Sequence, residues 1–381
     1  MGIPQLKKIL NGRHLQGIKT IHIRELCGQC VAFDLSSVIY KIKQRCIDNK
    51  STNPDDLLRE LFNILHKFTY QGIRIIGVFD GKPSQKKDKV INSRKKHRET
   101  AKKKLDSLDI SFDDENIKYS ELSTISDESE FNVEMIDELF ENAEAIQKRI
   151  NLTKRSTGIK YNDVQRCKLL LNQLHIPYIH KLNTEADIVL RYLNNYKLAT
   201  YFYTNDTDAL AMGCNMLTDL NYSTDYIKYY DYNMIISELK LTPIQMTELC
   251  ICLGSDYNQG ITNISSSRLI ELYQKYGCLH EIVINKEIEL YDFPTVFNYD
   301  DAFEFFTGDI SVEICNDFTN FEFIKPTNEL INTHYSTIIT CMNTIYTTII
   351  STIIDLNKKL KFKRKLSEFY SSRYGIAINI M

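Results

Sequence analysis

An α/β fold around a mostly parallel, twisted sheet flanked by helices is what this sequence predicts, and three observations carry the prediction. Three apolar runs, Cys30-Val31-Ala32-Phe33, "IRIIGVF" over 73–79 and "LATYFY" over 198–203, read as buried strands. Each stops at or just before an acid, at Asp34, Asp80 and Asp206. Between the first two lies a helix with a legible start: Asn53 as cap, Pro54 at the first helical position, then Leu57, Leu61, Leu65 and Phe68 on one stripe. Strand, helix, strand implies a parallel pair joined by a right-handed crossover. In open sheets of that kind the crevice beyond the carboxyl ends of the strands is where ligands bind.

The chain has 381 residues and 43% apolar content, enough for one large core or two modest ones. No apolar stretch has the length of a membrane span, and "MGIPQLKKIL" lacks the hydrophobic block of a secretory signal, so a soluble intracellular monomer is expected. Leu6 stands where a myristoylation signal wants Ser or Thr. Ten cysteines lie scattered in apolar segments such as "LCICLG" and read as reduced core thiols. "CGQC", Cys27 to Cys30, precedes a strand instead of opening a helix and has no second CxxC to complete a zinc site.

Net charge is only −2, but its distribution is uneven. From Lys82 to Lys104 there are eleven Lys or Arg against Asp88 and Glu99; from Asp106 to Glu144 there are fourteen Asp or Glu against Lys118. The first block attracts phosphate and the second repels it, although a solvated helix followed by an acidic loop would look the same. The acidic segment reads as an irregular insert with one helix, "NVEMIDELFENAEAIQKRI". Regular pattern resumes with a helix "NDVQRCKLLLNQL", a strand "IPYIH", and a helix "NTEADIVLRYLNN" with Asn183 as cap. Glu185 and Asp187 fall in that helix's first turn. Positions two apart lie about 200° around the axis, so they can meet one ligand only at the helix end.

Asp206 and Asp208 stand one residue apart in "YTNDTDAL". Two like charges that close are tolerable only in water or with a cation between them. Collected in order, the acids at the ends of apolar elements are Asp34, Asp80, Glu185, Asp187, Asp206, Asp208 and Asp256, the last in "LGSDYNQGI".

In order and spacing these seven resemble the flap endonuclease family of structure-specific nucleases. The resemblance runs through "MGIPQLKKIL", "VAFDLSSVIY", "VFDGKP", "LHIPYIHKLNTEAD", "YTNDTDALAMG" and "CICLGSDYNQGI", covering most of residues 1–280. It implies a PIN-like 5′ nuclease fold with a helical arch and a helix-two-turn-helix element. It also implies two Mg²⁺ ions, with Mn²⁺ able to substitute, because in-line cleavage of a phosphodiester needs charge stabilisation at both the attacking and the leaving oxygen. Asp34, Asp80, Glu185 and Asp187 would then hold mainly one ion, with Asp206, Asp208 and Asp256 nearer the other.

By the same resemblance Lys87 and Arg94 match the family's catalytic lysine and arginine at the base of the arch. Their spacing of seven puts them on one helical face. Lys86, Lys95 and Lys96 would supply general attraction for the DNA backbone. Tyr40 matches the tyrosine that stacks on the base beside the scissile phosphate; its bland reading is a core aromatic. The acidic insert occupies the place of the family's cap, and is longer and more acidic than the family pattern.

The family's Gly-hydrophobic-Gly turn, which grips duplex phosphate and helps bind potassium, is Asn263-Ile264-Ser265 here. Loss of both glycines removes freedom for close backbone approach and argues against K⁺. Ser265, Ser266, Ser267 and Arg268 remain as phosphate contacts. In the basic tail, Leu366, Phe369 and Tyr370 repeat part of a sliding-clamp peptide, with Lys363 in place of its glutamine, although a helix packed on the body would show the same pattern.

The expected organisation is a nuclease region over 1–104, an acidic arch or cap insert over 105–150, a second nuclease region over 151–255, the helix-two-turn-helix region over 256–300, a helical region over 301–356 and a basic tail over 357–381. The expected substrate is branched DNA with a 5′ flap or nick, in a nucleus or at a viral replication site. Exonuclease and junction-resolving relatives share the acids. A glycosyltransferase would account for the DxD alone, leaving five acids over, and a DNA-junction binding protein without catalysis would be weakened by an idle negative cluster.

Overall fold

The computed structural model describes residues 2–50, 53, 55–82, 87, 91–107, 133–289 without 222, 292–294 and 297–308, with the side chains of 133–144 left aside. Lys86, the acidic segment up to residue 132 and the tail with Leu366, Phe369 and Tyr370 lie outside these residues. One compact unit comprises Met1–Lys168 and Ile176–Asn320. A second comprises Leu169–His175 and Phe321–Met381, of which only the former stretch is described.

The chain opens with helix α1, Pro4–Gly12, started by a proline at its first turn and burying Leu6, Ile9 and Leu10. Strand β1, Ile18–His22, and strand β2, Cys30–Asp34, follow. Helix α2, Leu35–Asp48, is capped by Asp34 itself, whose Oδ1 accepts from the Ser37 amide at 3.0 Å. Helix α3, Asp56–Tyr70, begins two residues later than the sequence suggests. Asn53 does not cap it; its side chain accepts from the Asp55 amide at 2.9 Å and forms an Asx turn ahead of the helix. The expected stripe of Leu57, Leu61, Leu65 and Phe68 is buried.

Strand β3, Arg74–Phe79, precedes helix α4 over 91–107 and helix α5, Val133–Ser156. Helix α6, Tyr161–Gln173, strand β4, Tyr178–His180, helix α7, Ala186–Asn195, and strand β5, Tyr201–Tyr203, come next. Only the last three residues of "LATYFY" are strand, because the amides of Leu198 and Ala199 turn back to the Leu193 carbonyl and close the end of α7. The one-turn helix α8, Asp208–Ala211, strands β6, Met216–Thr218, and β7, Tyr226–Tyr230, and helix α9, Tyr232–Glu238, complete the sheet region. Beyond it stand helices α10, Pro243–Leu253, α11, Ser266–Tyr276, α12, Leu279–Ile284, and α13, Tyr299–Thr307.

The seven strands lie in the order β1-β7-β6-β5-β2-β3-β4. β6, β5, β2, β3 and β4 are parallel, while β7 pairs antiparallel with both β6 and β1. β2 is central and buried along its whole length, which is why it reads as an unbroken apolar run. Phe33 packs edge-on against Phe68 at 5.0 Å and, tilted by 37°, against Tyr203 at 4.9 Å, tying α3 and β5 to the same layer. The chain lays β3 and β4 to one side of β2, then returns to lay β5 and β6 on the other. That reversal opens a crevice at the carboxyl ends of β2 and β5.

Helix α10 is buried from Met246 to Leu253, and Cys250 and Cys252 are core thiols, as their apolar setting suggests. Cys27 and Cys30 are both free, and burial raises the Cys30 thiol to about 11, the opposite of an activated redox cysteine. Among the described residues no helix is long and apolar enough to cross a membrane.

Candidate active site

Six of the seven acids are delivered to the crevice by four strands, β2, β3, β4 and β5, and the segments after them. Asp34 is the last residue of β2 and is 6% exposed. Besides capping α2, it accepts from the Thr204 hydroxyl at 2.9 Å through Oδ2, so β5 holds its second oxygen. Asp80 directly follows β3, and its Oδ1 accepts from the Ala186 amide at 2.9 Å at the start of α7. Gly81 donates to the Thr184 carbonyl at 3.0 Å, knitting the loop after β3 to the one before α7. Glu185 is the residue preceding α7 and Asp187 lies in its first turn. Asn183 is therefore not the cap; the helix starts later and brings both acids to its end.

After β5 the pair Asp206 and Asp208 has a local use. Asp206 Oδ1 accepts from the Asp208 amide at 3.2 Å, an Asx turn that opens α8. The amino-terminal segment closes over it: the Ile3 amide donates to Thr207 Oγ1 at 2.8 Å, and a Cβ at Gly2 would lie 2.0 Å from Asp206 Oδ1. Asp208 is 1% exposed, and among the described residues neither of its carboxylate oxygens has a hydrogen-bond partner. A buried polar group left unpaired is costly.

Asp256, the seventh acid, comes from the turn after α10. Gly254 there has φ +89°, and a Cβ would lie 2.6 Å from the Gly260 amide nitrogen, so the turn requires glycine.

Electrostatics join these acids into one network. Burial raises the Asp34 carboxyl from 3.8 to about 7, with Asp80 and Asp206 adding repulsion. Burial likewise pushes Asp208 well above the carboxylate range, helped by Asp206, Asp187 and Asp256. Asp187 is raised by burial and by Asp206, and less strongly by Asp80 and Asp34, against the lowering effect of Lys87. Asp206 is also raised, chiefly by burial.

Two side-chain cations stand in the same place. Lys87, 9% exposed, donates to Glu185 Oε2 and lies 3.7 Å from Asp187 Oδ2. Glu185 and Asp187 thus do face one cation, and the helix end resolves the two-residue spacing. Burial alone would lower the Lys87 ammonium, but Asp187, Glu185 and Asp256 together hold it above its ordinary value. Arg94, on α4, donates from Nη2 to both oxygens of Asp256 at 2.7 Å. Lys95 and Lys96 are exposed beside it, and Tyr40 is half-buried on α2.

Among the described residues no group of three or more His, Cys, Asp or Glu side chains is arranged to hold a metal ion as it stands. The donor set nonetheless fits a hard divalent cation. Its ligating atoms are all carboxylate oxygens, Asp208 offers two without partners, and the mutual repulsion is what a cation would relieve. Glu185 and Asp256 are meanwhile engaged by Lys87 and Arg94.

Two residues of the pocket carry no signal in the sequence reading. Tyr257 donates its hydroxyl to Glu185 Oε2 at 2.7 Å, and its ring stacks on Phe305 of α13 at 3.7 Å. Arg191 of α7, 4% exposed, donates to the carbonyls of Glu304 and Phe305 and so anchors the end of α13. Phe305 lies in a stretch whose composition suggests no function. A tyrosine after an acid and an arginine inside an apolar helix are the only cues, and both are common.

The α10–α11 turn has one residue other than glycine in the left-handed region. Asn263 adopts φ +58°, the left-handed conformation that asparagine tolerates. Its Nδ2 donates to Asp292 Oδ1 at 3.2 Å. Ser265 caps α11, accepting from the Arg268 amide at 3.2 Å, and Ser267 and Arg268 are exposed with Ser266 half-buried. Arg268 is paired with Glu271 at 3.4 Å and Glu287 at 2.8 Å.

The chain matches the XPG N-terminal domain over residues 1–101 and the XPG I-region over 175–256. It is 29% identical over 318 residues to flap endonuclease 1 of Nematostella vectensis, covering 80% of this chain and 75% of that one. It is 26% identical over 309 residues to a probable RAD2-like endonuclease of Invertebrate iridescent virus 6, covering 74% and 73%. Among solved structures, its fold is shared with the catalytic core of Rad2 in complex with DNA substrate, at TM-score 0.54 and 18% identity over 81% of this chain and 88% of that one. It is shared also with the Holliday junction-resolving enzyme GEN1 in complex with product DNA and Mg²⁺, at TM-score 0.52 and 13% identity over 84% and 68%.

Proposed function

The chain belongs to the XPG, or flap endonuclease, family, and on that premise we propose that it is a divalent-metal-dependent, structure-specific DNA nuclease cutting near junctions of single strand and duplex. The observation that carries the metal dependence is Asp208, buried with both oxygens unpaired inside a network of mutually repelling acids at the sheet's switch point. Two divalent ions, Mg²⁺ with Mn²⁺ as a substitute, would supply Lewis-acid stabilisation of the attacking and leaving oxygens when bound among Asp34, Asp80, Glu185, Asp187, Asp206, Asp208 and Asp256.

The chain's own residues do the rest. Lys87 stays protonated, because its three carboxylate neighbours raise it, and so offers a fixed positive charge to the charge that develops on the scissile phosphate. Arg94 meets Asp256 through Nη2 alone, and its planar guanidinium has further donors with which to take a phosphate. Lys86, Lys95 and Lys96 attract the backbone, Tyr40 stacks a base, and Ser265, Ser266, Ser267 and Arg268 meet the duplex. K⁺ is not part of this reading. Leu366, Phe369 and Tyr370 are the proposed contacts with a sliding clamp. The work would be done at a nuclear or viral site of DNA replication or repair.

The test is incubation with end-labelled 5′-flap, nicked, gapped and four-way DNA, with and without Mg²⁺. Cleavage of the flap near its junction, only with the metal, is expected; product sizes separate it from exonuclease and resolvase behaviour. No cleavage of any branched substrate in Mg²⁺ or Mn²⁺ would defeat the proposal.

A further inference from the structure

The pocket contains a side chain that touches both members of its buried ion pair. Tyr257, 6% exposed, donates its hydroxyl to Glu185 Oε2 at 2.7 Å, while Lys87 Nζ lies 4.3 Å from the centre of its ring. Phe305 stacks on that ring at 3.7 Å with 27° between the planes, and the ammonium is 5.6 Å from the Phe305 centre. Lys87 therefore sits in a corner made by two stacked rings and closed by the carboxylates of Glu185 and Asp187.

The corner is itself anchored. Arg191, on the helix whose first turn carries Asp187, donates to the carbonyls of Glu304 and Phe305, so α7 sets where Phe305 stands. A lysine has a long flexible stem, and it acts on a transition state only if its head is held in place. An aromatic face attracts an ammonium most strongly where water is excluded.

We propose that Tyr257 is a positioning residue for Lys87: its ring, backed by Phe305, holds the ammonium in the carboxylate pocket, and its hydroxyl orients Glu185. The proposal rests on the reading of Lys87 as the cation that meets developing phosphate charge. The competing account is that Tyr257 only fills core. The two differ in whether its effect depends on Lys87.

The experiment is a double-mutant cycle read by single-turnover cleavage of an end-labelled 5′ flap in Mg²⁺, with flap dissociation constants measured in Ca²⁺ and melting temperatures for each variant. Tyr257→Leu is expected to slow cleavage by about tenfold or more while leaving the dissociation constant within about twofold. Tyr257→Phe keeps the ring and is expected to lose less than about threefold. In the Lys87→Ala background Tyr257→Leu should cause no further slowing. Equal slowing in both backgrounds overturns the proposal, as does Tyr257→Phe as slow as Tyr257→Leu. A wild-type rate for Lys87→Ala alone overturns instead the reading of Lys87, and is seen before Tyr257 is touched. If Tyr257→Leu does not fold, Phe305→Leu gives the same test, expected to slow the wild-type background and leave the Lys87→Ala background unchanged.

Discussion

Asp208 and Arg268 carry single charges within one chain, yet the protein treats them in opposite ways. Asp208 is 1% exposed with neither oxygen paired, among neighbours of its own sign. Arg268 has a side chain 48% exposed and divides its guanidinium between Glu271 and Glu287. The pocket crowds acids together where water screens them poorly, with Lys87 and Arg94 answering only some of them; the α10–α11 turn disperses paired charge where water can screen it. Burial without compensation is therefore the feature that marks a place for a bound cation. A surface arginine already committed to acids is a weaker sign of a DNA contact.

Four measurements test that contrast, beginning with the largest effect. Asp208→Ala should reduce flap cleavage in Mg²⁺ by about a thousandfold or more, with flap affinity changed by less than about threefold. Cleavage at the wild-type rate would remove the pocket from the chemistry. Lys87→Ala should slow the single-turnover rate by about a hundredfold, because it is proposed to act on transition-state charge. A raised dissociation constant with an unchanged rate would make Lys87 a substrate-holding residue.

The third measurement uses pH. Asp34 is raised from 3.8 to about 7, and Asp187, Asp206 and Asp208 are raised as well, so their folded-state values exceed the unfolded ones. The unfolded chain then loses these protons first, so the Asp34 contribution to stability falls as pH rises from about 4 through about 7, and those of the other three also fall as pH rises above about 4. A bound cation offsets that loss. The difference in melting temperature between Mg²⁺ and EDTA should accordingly grow by a few degrees between pH 6 and pH 8. A difference independent of pH would place the metal elsewhere.

The smallest effect belongs to the turn. Arg268→Ala should weaken duplex binding by less than about threefold and lower the salt slope by at most about one. A loss of tenfold or more would mean that DNA wins Arg268 from Glu287, and would narrow the contrast between the two regions.

Much of the pocket was legible before the structure, for a chemical reason. A buried strand that ends in an acid is uncommon enough to notice at Asp34, Asp80 and Asp206, and the parallel pairing of β2 with β3 and β5 follows from their apolar runs. The start of α7 was misplaced because Asn183, Glu185 and Asp187 are all residues that suit a helix start, and propensity does not choose among them. Asn263 adopts a positive φ that asparagine tolerates, a backbone feature that the missing glycines do not by themselves predict. Tyr257 was not legible at all. Its role depends on Phe305, 48 residues away, and on Arg191, which holds the helix that carries Phe305.

What the sequence determined by itself was the chemistry available: oxygen donors at the ends of buried strands, and a basic segment after β3 that carries Lys87 and Arg94. Those follow from residue type and periodicity, which are local properties of the chain. The expected shared helical face is not seen, since Arg94 lies on α4 and Lys87 precedes that helix. Only the tertiary structure decided that Lys87 pairs with Glu185 and that Asp208 is left without a partner. Pairing and burial depend on which distant segments share a space, and packing of the whole core settles that.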